Sequence, residues 1–200
     1  MGIYLYISND QHAIKRGFWK HLSMYYVIQV KTGKEQKTID AIKKQLGDKD
    51  GFDVFAPYRK SLRKYGGVFK EVVERCFPGY VFVETSEPWD LFVNLYWTPE
   101  FTRMLGREGH TQNFVPLNED ESRMIDILYS ANSNRITEIS NIEVHEGQII
   151  KVLDGPLAGM TSSIKKVNLH KRIVTIEFPL CGRMVEANVS ISIITNVINK

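Results

Sequence analysis

Hydrophobic and polar positions divide the chain into a mixed α/β half and an all-β half. Strand patterns occupy residues 25–31, 52–57, 80–84 and 102–105, and residues 59–77 predict a hairpin. Apolar residues at helical spacing predict one helix after the first of these strands, one after residue 86 and one ending near residue 128. The order is that of an α/β sandwich in the split βαβ class.

Two residue pairs mark where helices start. Thr32 and Glu35 precede an apolar helical run, and Asn118 and Glu121 repeat the same spacing. In a capping box the first side chain accepts a hydrogen bond from the third helical amide, and the glutamate reaches back to the cap. We therefore expect Thr32 and Asn118 to be helix N-caps.

The strand at residues 80–84, YVFVE, is apolar on both faces, which is typical of a strand buried on both sides. Because side chains alternate along a strand, Val81 and Val83 share one face while Tyr80 and Phe82 share the other. We expect the two valines to fill a helix-covered core. The aromatic pair is then either ordinary core or a surface for a partner.

Composition shifts suggest the domain boundaries. Residues 129–142 are polar and rich in Ser and Asn, as in a linker. Short strands separated by turn signals fill residues 143–200, which predicts a small barrel, after an N-terminal domain at 24–128. Residues 1–23 lack these patterns and are expected to be an extension outside the core fold. The fold class is therefore α+β.

Charge and motif content argue against several function classes. The net charge is only +3, so any basic surface is a local patch. Cys76 and Cys181 lack a CxxC pattern and a histidine pair nearby, which favours reduced thiols in the cytoplasm. Apolar runs are too short to cross a membrane. With no nucleophile elbow and no HExxH, we expect neither an enzyme nor a cofactor or metal site.

The predicted hairpin combines cations with aromatic rings around a turn at Gly66-Gly67, where two glycines tolerate the positive φ of a primed turn. Tyr58, Tyr65 and Phe69 offer stacking faces. The hairpin is either a solvated charged ribbon or a contact surface for nucleic acid. The basic residues concerned are Arg59, Lys60, Arg63, Lys64, Lys70 and Arg75.

Two motifs in this order resemble the NusG family of transcription elongation factors. FPGYVFVE at residues 77–84, preceded by YYVIQVKTGKE at 25–35, is similar to the family's N-terminal (NGN) domain. GQIIKV at 147–152, leading into GPLAG at 155–159, is similar to its KOW motif. The resemblance covers residues 24–196, nearly everything beyond the N-terminal extension.

The resemblance implies an NGN-type sandwich, with an antiparallel sheet and helices, joined by a flexible linker to an SH3-like KOW barrel. One specialised branch of the family has a refolding KOW domain that masks the docking surface; the β-forming residues here predict a stable barrel, left free to engage other machinery. The NGN domain would dock on the clamp helices of RNA polymerase. Positions that correspond to that docking surface are Phe77, Tyr80, Phe82, Gln29 and Met104, of which Gln29 is a polar departure.

The implied function is transcription elongation with suppression of pausing and termination, that is, processive antitermination. The basic hairpin and Gln29 favour a specialised paralogue that recognises a nucleic-acid element, similar to the LoaP-type antiterminator and its RNA hairpin. A housekeeping NusG and a KOW-type ribosome-associated RNA-binding protein are the alternatives. Expected partners are RNA polymerase, nascent RNA or non-template DNA, and a ribosomal protein or Rho at the KOW domain. The chain is expected to be a monomer and not to bind a membrane.

The KOW loop has a physical reason for its residue types. Gly155 and Gly159 allow a tight first loop of the barrel, and Pro156 fixes φ between them. The loop is either a barrel turn only or also a contact surface. A phosphate-binding P-loop does not fit, because three residues separate the glycines and Met160 stands where that motif has lysine.

Overall fold

The computed structural model describes residues 23–96, 101–104, 115–129, 134–145 and 150–194. Within these residues the N-terminal half contains six strands and three helices. Their bounds are β1 Met24–Val30, α1 Glu35–Leu46, β2 Phe52–Phe55, β3 Tyr58–Tyr65, β4 Val68–Arg75, β5 Tyr80–Thr85, α2 Pro88–Tyr96, β6 Phe101–Met104 and α3 Glu119–Tyr129.

The N-terminal sheet has the strand order β2-β5-β1-β6, and every neighbouring pair is antiparallel. Val81 and Val83 on β5 are fully buried in one apolar cluster with Ile39 and Ile42 of α1. Phe82, between them, belongs to a different cluster on the opposite side of the sheet. The predicted sandwich, and the division of YVFVE between two faces, are confirmed.

One predicted helix cap is confirmed and the other is wrong. Asn118 and Glu121 exchange hydrogen bonds, each backbone amide donating to the other's side chain at 2.9 Å. Thr32 is not the cap of α1, because Lys34 occupies that position without a side-chain cap bond. Glu35 instead accepts bonds from the amides of Gly33 and Gly79, and this pulls its carboxylate away from the helix start.

Strands β3 and β4 form the predicted hairpin, with Lys64 opposite Phe69 near its tip. The turn residues Gly66 and Gly67 both have positive φ, 56° and 89°, as the sequence predicts. A short strand, β7 (Ile136–Thr137), pairs in parallel with the base of β3. Part of the predicted linker is therefore held against the N-terminal half.

The C-terminal half is a five-stranded sheet in the order β10-β11-β12-β8-β9, here called the barrel. Its bounds are β8 Ser140–Val144, β9 Ile150–Val152, β10 Ile164–Asn168, β11 Ile173–Leu180 and β12 Arg183–Ile193, with 3-10 helices at Pro156–Gly159 and Thr161–Ser163. Strand β8 starts inside the predicted linker. The range predicted to contain only short strands and turns thus also includes two 3-10 helices.

The barrel packs on the N-terminal sheet, so the expectation of a freely tethered barrel is wrong for this structure. Buried residues of both halves form one apolar cluster. The rings of Phe77 and Phe178, one from each half, meet edge to face at 5.2 Å between centroids. Burial of apolar surface favours the contact. The residues that form it are far apart in the sequence, so local sequence patterns do not predict it.

Gly155 is required by the barrel turn, and Gly155→Ala tests this requirement. Gly155 has φ +82, and an added Cβ would lie 2.7 Å from the Cα of Ser140. A positive φ alone costs an alanine about 1–2 kcal/mol, and the backbone clash adds to it. We expect Gly155→Ala to lower the free energy of unfolding, measured in urea, by more than Gly182→Ala does. Gly182 is the matched control, with φ +74 and nothing within 4 Å of an added Cβ; equal losses would contradict the clash.

Candidate functional site

Four aromatic rings line the side of the N-terminal sheet away from α1, and we call them the aromatic face: Tyr25, Phe55, Phe77 and Phe82. Phe55 stacks on Phe82 at 5.8 Å, and Phe77 lies 5.7 Å from Phe82 on its other side. Alternation along β1 and β5 puts Tyr25 and Phe82 on this side. The result is a continuous aromatic surface at the centre of the sheet.

The aromatic face is covered by parts of the chain itself. Tyr129 at the end of α3 meets Phe55 edge to face at 6.2 Å, and Phe178 of the barrel meets Phe77. Phe77 and Phe82 are 2 % and 0 % exposed as a result. In this arrangement no partner protein can reach either ring.

Polar contacts add to the apolar ones at the barrel interface. Arg59 at the base of the hairpin is 5 % exposed, and its Nη1 donates to the hydroxyl of Ser190 on β12 at 2.8 Å. Its Nη2 pairs with Glu74 at 2.7 Å. Burial lowers the pKa of Arg59, and the nearby Glu74 acts in the opposite direction. Arg59 is therefore a buried charge that depends on its partners.

Arg135 attaches the linker to the N-terminal sheet, and sequence reasoning missed it. Its guanidinium pairs with Asp53 at 2.8 Å and with Glu84, and it donates to the Tyr25 hydroxyl at 3.1 Å. It also lies 4.4 Å from the centroid of Phe55. Burial by itself would lower the pKa of Arg135, but its hydrogen bonds to Asp53 and Tyr25 raise it overall.

The linker also contacts strand β3 of the N-terminal half. The Arg135 carbonyl accepts a hydrogen bond from the Tyr58 amide at 3.2 Å, and its φ of 55° is unusual for a residue other than glycine. Lys60 of β3 also pairs with Glu138 at 2.8 Å. A lone arginine in a polar stretch carries no sequence signal of such a role.

The family described as transcription termination factor nusG matches residues 23–126, the range that contains the whole aromatic face. This chain belongs to the NusG family. It is a NusG-like transcription termination/antitermination factor, in agreement with the resemblance in its motifs.

Two NusG proteins are similar to this chain in sequence over most of its length. NusG of Bacillus subtilis (strain 168), a transcription termination/antitermination protein, is 31% identical over 166 residues, which are 80% of this chain and 90% of that protein. NusG of Lactococcus lactis subsp. lactis (strain IL1403) is 29% identical over 161 residues, 76% of this chain and 83% of the relative. A solved structure described as domain interaction in Thermotoga maritima NusG has a TM-score of 0.49 and 20% identity, over 84% of this chain and 94% of that one.

The residues predicted to dock NusG-type factors on polymerase fall into three groups. Phe77 and Phe82 are buried under the chain's own barrel, whereas Tyr80 and Gln29 are half-buried at the edge of the same face. Met104 pairs in β6 with Ile28, and its side chain lies outside the described residues. Their role in docking stays a prediction.

The six basic residues predicted to bind nucleic acid do not form one patch. Arg59 is buried, and Arg75 pairs with the carboxylate of Glu35 at 3.2 Å and lies over the Tyr58 ring at 5.0 Å. Lys60 and Arg63 pair with glutamates. Lys64 and Lys70 are exposed near the hairpin tip. The role of the six residues in binding nucleic acid stays a prediction.

The KOW loop of this NusG-family chain touches the other half. Pro156 starts the 3-10 helix, and the Leu157 amide donates to the Ser140 hydroxyl at 3.0 Å. A Cβ on Gly159 would lie 3.2 Å from the side chain of Ile127 on α3. The loop is therefore both a barrel turn and a contact between the halves. Within the described residues we find no metal-ligand cluster and no helix able to span a membrane.

Cys76 provides a natural probe of the interface. Its thiol is 1 % exposed and lies 3.6 Å from the carbonyl oxygen of Asn188 on β12. Burial raises the pKa of the Cys76 thiol to about 12. Because the thiolate is the reactive form, alkylation of Cys76 at neutral pH should be slow while the barrel is in place and faster once it leaves. Cys181 is also a free thiol.

Glu35 should make the stability of this chain depend on pH. Burial alone would raise the pKa of Glu35, but amide hydrogen bonds, from Gly79 above all, and Arg75 hold it below its ordinary value. A carboxylate with a lowered folded pKa stabilises fully above its unfolded pKa, roughly 4.3, and loses that contribution as pH falls through the folded value.

We therefore expect Glu35→Gln to lower the free energy of unfolding by about 1–3 kcal/mol at pH 7, and by progressively less below pH ~4. Urea titrations at several pH values measure this difference. Glu119→Gln is the control, since the side chain of Glu119 is 92 % exposed. A loss for Glu35→Gln that stays constant down to pH ~2, below the usual carboxyl range, would contradict the assignment.

Proposed function

We propose that this chain binds RNA polymerase through the aromatic face and suppresses pausing and termination. The observation that carries the proposal is the aromatic face itself, a set of rings on the side of the sheet not covered by α1 and α2. Rings clustered at the centre of an interface supply most of its binding energy. No chemical step is needed, because binding one conformation of the polymerase in preference to another shifts its population.

Docking then requires the barrel to leave the N-terminal sheet. Phe77 contacts Phe178, and Arg59 donates to Ser190, only while the barrel is in place. A protein whose competent form is a minor population binds with an affinity reduced by that fraction. The closed arrangement would therefore keep the chain from polymerase until the contacts between its halves are broken.

A closed resting form favours a specialised paralogue over a housekeeping NusG. A general factor has to engage every elongating polymerase, whereas a factor kept closed needs a signal to open. We place that signal at the hairpin tip, where Lys64, Lys70 and the rings of Tyr65 and Phe69 are exposed. The proposed ligand is nascent RNA or non-template DNA, with the LoaP-type antiterminator as the nearest analogy, acting in the cytoplasm.

The released barrel is the proposed site for a further partner, a ribosomal protein or Rho. Apart from the contact with the N-terminal sheet, β12 offers Met184, 62 % exposed, and β9 leads to Leu153, 40 % exposed. The relatives' names include both termination and antitermination. Which of the two this chain supports depends on its effect on Rho.

The deciding experiment is capture of polymerase by the full chain, with transcription through a terminator as the functional readout. We expect tagged protein to capture elongating polymerase and to raise readthrough on a template that carries the cognate leader. General readthrough on every template would favour the housekeeping alternative. Sedimentation with ribosomes in the absence of polymerase binding would favour the ribosome-associated alternative and overturn the proposal.

A further inference from the structure

Phe69, near the tip of the β3–β4 hairpin, is shared between the two halves of the molecule. Its ring is 38 % exposed. The Nζ of Lys64, its neighbour across the hairpin, lies 6.0 Å from the ring centroid. The guanidinium carbon of Arg172, from the barrel, lies 5.4 Å from the same centroid. The ring is therefore a contact point between the hairpin and the barrel.

The turn between β10 and β11 holds Arg172 in position. The Lys171 amide donates to the Asn168 side chain at 2.9 Å, and the Arg172 carbonyl accepts from the Ile191 amide at 3.0 Å. Arg172 has φ 57°, a left-handed conformation that disfavours any residue with a Cβ. The turn thus presents this guanidinium to Phe69 from a fixed backbone.

The contact leaves Arg172 incompletely satisfied. Its Nη1 is buried and has no hydrogen-bond partner among the described residues. A buried donor without a partner is unfavourable, and more so when it belongs to a charged group. The cation–π contact with Phe69 is favourable, but modest at a partly exposed ring. The unsatisfied donor offsets part of what the cation–π contact contributes, so the contact favours the closed form only weakly. A ligand that takes the ring and lets Arg172 reach a phosphate or water can therefore displace it.

The chemistry around the ring fits single-stranded nucleic acid. Stacking of a base on an aromatic side chain is more favourable than a cation–π contact weakened in this way. Tyr65, 54 % exposed at the tip, offers a second ring. Lys64 lies on the same face of the hairpin as Phe69, whereas Lys70 lies with Tyr65 on the other face. Lys64 is exposed and can meet a phosphate next to a base stacked on Phe69.

We propose that an unpaired nucleobase stacks on Phe69 in the place of Arg172, so that nucleic-acid binding at the hairpin loosens the barrel from the N-terminal sheet. The inference rests on the proposed function, which places the nucleic acid at the hairpin tip and requires the barrel to leave. By linkage, if nucleic acid disfavours the closed form, the closed form weakens nucleic-acid binding by the same factor.

The test compares Arg172→Gln with a control that removes the same charge elsewhere on the barrel. Lys166→Gln serves, because Lys166 is exposed on β10. Fluorescence anisotropy with a short oligouridine and an oligothymidine of equal length measures affinity in the full chain, and the two probes distinguish RNA from DNA. We expect Arg172→Gln to tighten binding about threefold or more, Lys166→Gln not to tighten it, and Phe69→Ala to weaken it about tenfold.

Barrel release has its own readout in Cys76. The chain has two cysteines, so Cys181→Ser leaves Cys76 as the sole thiol. Saturating oligonucleotide should raise the rate of Cys76 alkylation by iodoacetamide severalfold. In Phe69→Ala, with the oligonucleotide titrated to the same occupancy of the protein, the rate of Cys76 alkylation should rise less.

Two outcomes overturn the inference while leaving polymerase docking intact. One is an oligonucleotide affinity of Arg172→Gln that is no higher than that of Lys166→Gln. This result would mean that Arg172 assists the ligand instead of competing with it. The other is an unchanged Cys76 rate at saturation. Absence of binding to both oligonucleotides also overturns it, and capture of polymerase by the same preparation then shows whether the proposed function stands.

Discussion

Ser190→Lys should raise the apparent affinity of this chain for RNA polymerase by about tenfold or more. Ser190 is fully buried, and its hydroxyl accepts the hydrogen bond from Arg59. A lysine there removes an acceptor from a buried guanidinium and places a second cation beside it. A buried donor left without its acceptor costs about 1–3 kcal/mol, and more when the donor is charged. Repulsion between the two cations adds to this cost, and both effects weaken the interface between the halves.

The measurement is a binding titration with elongating polymerase, paired with the alkylation rate of Cys76. Met184→Lys is the matched control, because it adds the same charge on the same strand at a residue that is 62 % exposed. Both readouts should rise for Ser190→Lys and stay at the wild-type level for Met184→Lys. Faster Cys76 alkylation without tighter binding would mean that barrel release does not uncover the docking surface.

Phe82→Ala should destabilise the chain by about 3–5 kcal/mol, the usual loss for a buried phenylalanine. Phe82 is fully buried between Phe55 and Phe77, with ring centroids at 5.8 and 5.7 Å. Its removal leaves a cavity where the sheet meets α3 and the barrel. In the closed arrangement, therefore, this substitution changes core packing as well as the docking surface. Urea unfolding measures the decrease in the free energy of unfolding.

Docking is tested separately with Phe82→Leu in the Ser190→Lys background, where the barrel no longer masks the aromatic face. Leucine keeps part of the volume and should retain the fold, while the ring contacts are lost. We expect about tenfold weaker polymerase binding with a circular dichroism spectrum unchanged from the Ser190→Lys parent. Equal affinity in the two proteins would remove Phe82 from the docking surface.

Patterns within a few residues were enough to predict the elements. Alternation in YVFVE separated Val83 from Phe82, and the structure buries them in different clusters. The glycine pair at the hairpin tip and the Asn118–Glu121 cap are also local, because a few consecutive residues supply every group involved. The misassigned cap at Thr32 fails because Glu35 bonds to Gly79, 44 residues away.

The occupant of the aromatic face was beyond sequence reasoning. An aromatic strand face looks the same in sequence whether an external protein or the chain's own barrel covers it. Arg59 sits in a basic run typical of a nucleic-acid surface, yet its partner Ser190 is 131 residues further along the chain. Such contacts depend on how two halves pack, which no periodicity in either half encodes.

The pairing of β7 with β3 limits how far the barrel can travel. Only residues 138 and 139 separate β7 from β8, and two extended residues span about 7 Å. With β7 in place the barrel can tilt aside but stays next to the sheet, at a high effective concentration for reclosing. If β7 also detaches, ten residues lie between α3 and β8, and ten residues span at most roughly 35 Å. The short strand β7 and Arg135 thus determine how far the barrel can move. While they hold, it stays at the surface of the N-terminal half; once they release, it can reach a neighbouring assembly.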